Sequence, residues 1–311
     1  MTGRVIHTGQ AIVDLVMNVD TLPPIGGDVF ADHYALLAGG GFNVMAAARR
    51  EGAEVIYAGG HGTGPFADVV RQAMNSEGVR VSSPQAADCD TGFCVALIDA
   101  NAERTFVSTF GAEGHITADH LESAKVTADD IVYITGYSLY HTNNAATLGK
   151  WLPTVPIGAS VVIDPSPMVG EIPDRVLAQT LARAAACTAN EREARILLTR
   201  LTDSSATSPE EIVNRLADHL TATVIVRVGA DGCWVAGPGL ATELIPSIGV
   251  KAIDTNGAGD AHTGVLCADL SLGIDVRTAL RRANVAAAIA VSRRGPATSP
   301  TRTEIDELIG E

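Results

Sequence analysis

Short β-branched runs alternate with longer segments of helical periodicity along most of this 311-residue chain, and this alternation constrains the fold most strongly. It predicts an α/β fold in which a central, mostly parallel sheet is flanked by helices. Only 4% of the residues are aromatic, so Ala, Val, Ile and Leu must fill the core, which suits such a sheet. The predicted strands include 5–7, 55–58, 131–134, 160–164 and 223–228, and the predicted helices include 44–51, 65–77, 144–151, 173–186 and 206–219.

Two segments, 28–37 and 91–110, have the composition of strands but lack the helices that the alternation requires. In the second segment, a turn-like sequence at 99–102 separates two strand-like runs and predicts a β-hairpin. Strands of this kind either form a small separate sheet, acting as a lid over the strand ends, or extend the edge of the main sheet. The residues alone leave both interpretations open.

Charge and cysteine content argue against several classes of function. With 22 basic and 36 acidic residues, the surface repels phosphate backbones and anionic lipids, so we expect no nucleic-acid or membrane partner. The five cysteines form no CxxC pair and are expected to be buried in a protein of the reducing cytosol. No N-terminal signal is evident, and the apolar run 285–291 is far shorter than the ~20 residues of a bilayer span. The expected location is the cytoplasm.

The most informative motif is the seven-residue string from Asp254 to Asp260 (DTNGAGD), which is followed by a helical pattern at 261–270. The amides of Gly257, Ala258 and Gly259 precede this helix and would form an anion cradle at its positive end. Asp260, in the first turn, could reach a hydroxyl group beside the bound anion, as phosphoryl transfer requires. The alternative is an ordinary glycine-rich loop in which Asp260 caps the helix.

A second glycine-rich string, from Ala38 to Asn43 (AGGGFN), precedes the helical pattern near the N-terminus. Its local interpretation is a tight turn with Asn43 as a helix cap. Together, in this order, the two strings resemble the two signatures of the ribokinase (PfkB) family of carbohydrate kinases, and the resemblance covers residues 4–309. It implies a ribokinase-like α/β fold with a small β-sheet lid. One kinase domain would span 1–311, with lid segments at about 16–38 and 91–110.

The resemblance also implies an acceptor site and a phosphoryl-transfer site. Asp14, at the end of the first predicted strand, matches the aspartate that accepts hydrogen bonds from two substrate hydroxyls, a role that suits a carboxylate. Asp260 would be the catalytic base, and the amides of Gly257, Ala258, Gly259 and Asp260 would stabilise the transferring phosphoryl group. The same substrate would be held by Asn43 and by the backbone around Gly39, Gly40 and Gly41.

The implied cofactors are ATP and Mg²⁺. Asn190 and Glu193 match an NxxE motif that acts around Mg²⁺, largely through water, as this ion commonly retains its waters. The residues expected to bind ATP are Asn190, Arg227, Gly229, Asp231, Gly232, Gly259 and Asn284. A loop that binds a monovalent cation such as K⁺ in several members matches Asp254, Asn256, Ala290, Arg293, Gly295 and Ser299.

Two departures from ribokinase itself concern these sites: Gly40 stands where ribokinase has lysine, and Asn256 where it has threonine. The acceptor is left open among sugars, sugar acids and nucleosides, and a nucleoside kinase of the same family is the main alternative. A dinucleotide-dependent oxidoreductase would need GxGxxG after the first strand, where the chain has Gly9-Gln10-Ala11. A non-catalytic ligand sensor would not need Asp260 and the NxxE motif. Lid strands often pair in this family, so a homodimer through the lid is also expected.

Overall fold

A computed structural model describes residues 2–101 and 103–310, so Ala102 of the predicted hairpin turn and the two end residues of the predicted domain lie outside the description. The strands are β1 (Arg4–His7), β2 (Ala11–Asn18), β3 (His33–Gly40), β4 (Glu54–Tyr57), β5 (Arg80–Val81), β6 (Phe93–Ile98), β7 (Arg104–Ser108), β8 (Ile131–Thr135), β9 (Ser160–Asp164), β10 (Ala186–Asn190), β11 (Thr223–Arg227), β12 (Cys233–Gly237) and β13 (Leu240–Ile245). The α-helices are α1 (Gly41–Arg50), α2 (Pro65–Ser76), α3 (Ala118–Glu122), α4 (Gly136–Tyr140), α5 (Thr142–Trp151), α6 (Asp174–Leu181), α7 (Glu191–Thr202), α8 (Pro209–Leu220), α9 (Ala258–Ser271), α10 (Val276–Val291) and α11 (Arg302–Ile309).

The larger sheet has nine strands in the order β13-β12-β11-β10-β9-β8-β1-β4-β5. From β11 to β5 all neighbours are parallel, and β12 and β13 add an antiparallel edge. The predicted mostly parallel sheet is therefore confirmed. Successive residues of a strand point to opposite faces. Accordingly, Val5 belongs to the apolar core on one face and Ile6 to the core on the other. Helices cover both faces.

The smaller sheet, called the small sheet below, has four strands in the order β3-β2-β6-β7. The predicted hairpin is present as β6 and β7, closed by Asp99 Oδ1, which accepts hydrogen bonds from Asn101 N (2.8 Å) and Glu103 N (3.0 Å). A small separate sheet is confirmed, and an extension of the main sheet is ruled out. The prediction of a strand over the first segment, 28–37, was only partly right, because residues 28–32 are irregular and the strand begins at His33. Asp14 also lies inside β2 of the small sheet and not at the end of the first strand.

Two helix predictions were wrong at their ends. The helix predicted to reach residue 186 ends at Leu181, and Ala186 opens β10, because pairing with β9 and β11 overrides the helix propensity of an alanine-rich run. The helix predicted from 206 begins at Pro209, where the Ser208 side chain accepts a hydrogen bond from Glu211 N at 3.2 Å. Ser at the cap and Pro at the first helical position are a strong start signal. Among the described helices, none has the length and apolar character needed to cross a bilayer.

Candidate active site

The predicted anion cradle lies at the start of α9. Gly257 has φ 78°, and a Cβ there would lie 1.9 Å from the Pro296 carbonyl oxygen, so only glycine fits between this turn and the segment around Pro296. The first intrahelical hydrogen bond joins Ala261 N to Gly257 O at 2.8 Å. The amides of Ala258, Gly259 and Asp260 come before it and have no intrahelical partners. They are placed to bind an anion at the positive end of the helix.

The Asp260 carboxylate lies in the first turn of α9, where Asn43 Nδ2 donates to its Oδ2 at 2.9 Å. Helix α1, which carries Asn43, crosses α9 closely: a Cβ on Gly264 would lie 2.4 Å from Val44 O. Burial raises the pKa of Asp260 to about 6, although the hydrogen bond from Asn43 lowers it. A carboxylate with a pKa near 6 is ionised at neutral pH and is still basic enough to accept a proton.

Asp14 faces the same cleft from β2 of the small sheet. Burial, followed by the negative charge of Asp260, raises the pKa of Asp14 to about 6, which shows that Asp14 lies within electrostatic reach of Asp260. Residues 39–41, called the glycine turn, lie against Asp14. A Cβ on Gly39 would lie 2.1 Å from the Asp14 carboxylate, and Gly40 has φ 59°. The structure thus brings Asp14, the glycine turn and Asn43 together with Asp260, as expected from the sequence.

The register of the small sheet shows which of its side chains share the cleft. Asp14 pairs with Cys94, and in the same alternation Ala96 pairs with Phe106 and Ile98 with Arg104. Directly paired residues point to the same side, and so do residues two apart in a strand. This side, called the inner face, therefore carries Asp14, Phe106 and Arg104. The opposite side, called the outer face, is largely apolar and carries Leu15, Met17, Tyr34, Leu36, Val95, Leu97 and Val107.

Arg227, predicted as part of a nucleotide-binding turn, turns its side chain inward beneath the cradle. Its Nη1 donates to Asp164 Oδ2 (3.1 Å), Thr188 Oγ1 (2.8 Å) and Thr263 Oγ1 (3.2 Å). Its Nη2 lies 3.6 Å from the position of a Cβ on Gly259. The guanidinium, which extends from the end of β11, is therefore held by β9, β10 and α9 directly beside the anion cradle. Asp164 was not predicted, although its place at the end of a parallel strand marks such positions as candidates.

Asn190 and Glu193 form a reciprocal cap at the start of α7. Glu193 N donates to Asn190 Oδ1 at 2.8 Å, and Asn190 N donates to Glu193 Oε2 at 2.9 Å. Burial, and then the charge of Asp164, raise the pKa of Glu193, whose carboxylate is 3.6 Å from Arg227 Nη2. Within residues 2–101 and 103–310, no three His, Cys, Asp or Glu side chains converge as a metal cluster. Asn190 and Glu193 therefore suit a Mg²⁺ ion that is held mainly by phosphate oxygens and water. They do not suit an ion that is enclosed by protein ligands.

A cleft of about 670 Å³ opens beside this cap and brings together part of the predicted nucleotide set, namely Asn190, Arg227 and Gly229. Arg192 and Arg195 also line it, which makes it suitable for a polyanion. The other predicted residues play local roles here. A Cβ on Gly232 would lie 2.1 Å from Ile245 O, and the buried Asn284 donates from Nδ2 to the same oxygen at 2.9 Å. Asp231 lies in the single 3₁₀ turn between β11 and β12.

Tyr137 is a further cleft residue that the sequence did not indicate. It follows β8 directly and remains 39% exposed. Burial, and next the charge of Asp260, raise the pKa of its phenol to about 12. Tyr137 is therefore a neutral hydrogen-bonding group close to the base. The only indication of Tyr137 in the sequence is its position after a predicted strand.

The residues of the predicted cation loop also meet in space. Asp254 Oδ1 accepts from Asn256 N at 2.9 Å, and Asp254 Oδ2 accepts from Gly295 N at 3.1 Å. Arg293 Nη1 donates to Thr298 O at 3.3 Å, and the buried Ser299 Oγ has no hydrogen-bond partner among the described residues. Asp254 has one further partner, Arg104 Nη2 of the inner face, at 2.5 Å.

Three relatives place this chain among known proteins. It is 30% identical over 302 residues to the uncharacterized sugar kinase YegV of Escherichia coli (strain K12), which covers 97% of this chain and 92% of that protein. It is 29% identical to the ribokinase of Bacillus subtilis (strain 168) over 306 residues, covering 97% of each chain. It is also 30% identical to the adenosine kinase of Saccharomyces cerevisiae over 253 residues, covering 78% of this chain and 73% of that protein.

Solved structures agree on the fold. The ribokinase of Thermotoga maritima superposes with a TM-score of 0.83 at 21% identity, covering 99% of both chains. The ribokinase of Arabidopsis thaliana complexed with ribose and ATP gives 0.82 at 22% identity over 100% of both chains. A putative ribokinase II of Escherichia coli in complex with ATP and Mg²⁺ gives 0.82 at 22% identity over 99% of both chains. The ribokinase-like fold is therefore confirmed, including the small sheet.

The model of the pfkB family carbohydrate kinases matches residues 3–303, nearly the whole chain. This match confirms the resemblance seen in the two glycine-rich strings, which lie close together around Asn43 and Asp260. The chain therefore belongs to the pfkB family of carbohydrate kinases and is a phosphotransferase with an alcohol group as acceptor.

Proposed function

We propose that this protein transfers the γ-phosphoryl group of ATP to a hydroxyl of a small, uncharged sugar or sugar-like acceptor. The observation that carries the proposal is the Asp260 carboxylate, held by Asn43 at 2.9 Å, with free helix-terminal amides on one side and Asp14 on the other. This arrangement offers a base, an anion cradle and a hydroxyl-binding carboxylate within one cleft. Those are the parts that an in-line displacement at phosphorus needs.

In the proposed reaction, Asp14 accepts hydrogen bonds from two acceptor hydroxyls, and Asn43 and the glycine turn fix the acceptor between Asp14 and the cradle. Asp260 takes the proton of the reacting hydroxyl while the oxygen of that hydroxyl forms a bond to the γ-phosphorus. At the same time, the bond from the γ-phosphorus to the leaving ADP breaks. The amides of Ala258, Gly259 and Asp260 stabilise the negative charge of the transferring group. Arg227, directly beside Gly259, places its guanidinium in the same region, where it is paired with Asp164 and Glu193.

The nucleotide would occupy the cleft lined by Asn190, Arg227 and Gly229, where Arg192 and Arg195 would also lie near its phosphates. ATP and Mg²⁺ in the complex of the Escherichia coli structural neighbour support this assignment. Mg²⁺ would be held largely through water near Asn190 and Glu193, and when bound it would offset phosphate charge. The roles of Asp231, Gly232 and Asn284 would be to shape the loops around this cleft.

Charge favours an uncharged acceptor. Asp14 and Asp260 face each other across the acceptor site, and each would repel a carboxylate or phosphate on the acceptor. The glycine turn contributes no cation, since Gly40 stands where ribokinase has lysine. Arg104 shares the inner face but is already paired with Asp254. Sugar acids and sugar phosphates should therefore be poor acceptors.

A nucleoside is the second candidate, and Phe106 favours it. This side chain lies on the inner face, is 55% exposed, and offers an aromatic surface near Asp14 on which a base could stack. The adenosine kinase relative supports keeping this alternative. Ribose-bearing nucleosides present the same pair of hydroxyls to Asp14 as a free sugar does.

A homodimer through the small sheet is the proposed assembly. The outer face exposes Tyr34 (67%), Leu36 (44%) and Val107 (67%), which form one apolar surface by the strand register. Contiguous apolar surface of this kind commonly marks an interface. Light scattering of the purified protein, compared with a Val107→Glu variant, would test it; a monomeric wild-type protein would contradict it.

The function itself is tested by following ADP formation with ATP and Mg²⁺ against pentoses, hexoses, sugar acids, sugar phosphates and nucleosides. We expect acceptor-dependent ADP formation with an uncharged sugar, and mass spectrometry should show one added phosphoryl group. The Asp260→Asn variant is the matched control for contaminating kinases. If no sugar or nucleoside raises ADP formation above the rate with ATP alone, the proposal is wrong.

A further inference from the structure

We infer that Arg104 is a positioning residue that braces the anion cradle from the small sheet, in the place expected for a monovalent cation. The inference rests on the proposed kinase function and deepens it, because it predicts turnover without K⁺. It comes from one contact, the ion pair between Arg104 Nη2 and Asp254 Oδ1 at 2.5 Å. This contact joins residues 150 positions apart, one in each part of the molecule.

The contact is directed toward the cradle by the fold. Arg104 lies on the inner face at the start of β7 and is held in register opposite Ile98. Its side chain is 22% exposed and that of Asp254 is 14% exposed, so the pair is largely shielded from water. A shielded pair is screened less by salt than a surface pair. The attraction between Arg104 and Asp254 should therefore persist at physiological ionic strength.

Asp254 connects this pair to the cradle. Its carboxylate accepts from Asn256 N (2.9 Å) and Gly295 N (3.1 Å), so it ties the segment before Gly257 to the loop after α10. The same loop supports Gly257 through Pro296, whose carbonyl oxygen would lie 1.9 Å from an added Cβ. The orientation of the cradle amides thus depends on the position of Asp254. Arg104 fixes that position from the side of the small sheet.

With Arg104 in place, the surroundings of Asp254 disfavour a monovalent cation. Asp254 is the only acidic residue of the predicted cation loop, and its charge is already matched by Arg104. The carbonyl oxygens of Ala290 and Gly295, two further predicted ligands, accept from Thr298 Oγ1 at 3.1 and 3.3 Å. A cation bound there would also face the guanidinium at close range and be repelled. The buried Ser299 hydroxyl has no hydrogen-bond partner among the described residues, so it stays available to a cation if the guanidinium is removed.

This arrangement couples the two sheets. A soluble cation would brace the cradle in every position of the small sheet, whereas Arg104 can do so only while the small sheet lies over the cleft. The cradle is then completed together with the cover over the acceptor. The Asp254 contact therefore links acceptor binding to the readiness of the phosphoryl-transfer site.

The first test needs no variant: kcat of the wild-type protein in KCl is compared with kcat in tetramethylammonium chloride at equal ionic strength. We expect the two values to agree within about twofold, since the charge of Arg104 is part of the chain. Stimulation by K⁺ of tenfold or more would overturn the inference. Absence of turnover in both salts with every acceptor would instead contradict the proposed function.

The second test uses Arg104→Met, with Arg104→Lys as the conservative variant. Arg104→Met should lower kcat about tenfold with little change in the KM for ATP, and KCl should restore part of this loss, since a cation can then approach Asp254. Arg104→Lys should retain most of the activity. Arg80→Met is the matched control, because Arg80 pairs with Glu54 at an exposed sheet edge. An Arg104→Met protein with unchanged kcat, or with a loss that K⁺ cannot restore, would contradict the role.

Discussion

The large sheet and the small sheet differ in how far their strands are buried. All five residues of β8 in the large sheet are buried, with helices on both faces. In the small sheet, β7 has exposed residues from Thr105 to Ser108. The large sheet provides Asp164, Arg227 and the support for the cradle, whereas the small sheet provides Asp14 and Arg104. In the proposed reaction, the more deeply buried large sheet holds the groups that would handle phosphate, and the small sheet holds the carboxylate that would bind the acceptor. Segments with less buried apolar surface open more readily.

Loss of Asp260, the proposed catalytic base on the large-sheet side, should have the largest effect. Asp260→Asn should lower kcat by about 10²–10⁴ with little change in the dissociation constant of ADP. The folded-state pKa of Asp260 is raised to about 6, so its ionised form destabilises the folded protein above that pH. The variant should therefore melt at a higher temperature than wild type at pH 7.5. Kinetics, calorimetry and thermal unfolding check this, and more than a tenth of wild-type kcat would exclude Asp260 as the base.

The difference in packing predicts a difference in stability. Ile134→Ala, at a fully buried position of β8, should lower the free energy of unfolding by about 2–5 kcal/mol. Ser108→Ala, at an exposed position of β7 on the inner face and outside the proposed interface, should change it by less than about 0.5 kcal/mol. Urea unfolding of the two variants measures both values. Similar losses in both would mean that the small sheet is packed as tightly as the large one.

On the small sheet, Asp14→Ala should act on the acceptor. We expect the acceptor KM to rise about 10–100-fold with a smaller effect on kcat, because two hydroxyl groups lose a charged partner. Asp20→Ala, at an exposed position just beyond the same strand, is the matched control. An unchanged acceptor KM would show that the hydroxyls are bound elsewhere.

The sequence was sufficient to predict the parallel sheet, the hairpin and the cradle, because each has a local signal: periodicity, a turn, or glycines before a helix. It was insufficient for β10, whose alanine-rich residues form a strand only through their neighbours β9 and β11. The ion pairs of Arg104 with Asp254 and of Arg227 with Asp164 could not be predicted from the sequence either. They join residues far apart in the chain, and no local pattern connects them.

The smallest effect concerns pH. Asp14 and Asp260 both have pKa values raised to about 6, and in the proposed reaction both act in the ionised form. Lowering the pH through 6 should therefore reduce kcat/KM for the acceptor, by about twofold at the midpoint of a single titration and more below it. In Asp14→Asn, which removes one of the two groups and its charge, the acid limb should move to lower pH. A flat profile from pH 7.5 to 5 would contradict the burial of both carboxylates.

The proposed division between a rigid large sheet that would handle phosphate and a mobile small sheet that would bind the acceptor is tested most directly by amide hydrogen exchange. The exchange is measured for the free protein, with acceptor alone, with a non-hydrolysable ATP analogue alone, and with both. With both ligands, residues 11–18, 33–40, 93–98 and 104–108 should gain protection, while residues 131–135 and 160–164 should exchange at the same slow rate throughout. Unchanged exchange in the small sheet when acceptor and nucleotide are both bound would contradict the account.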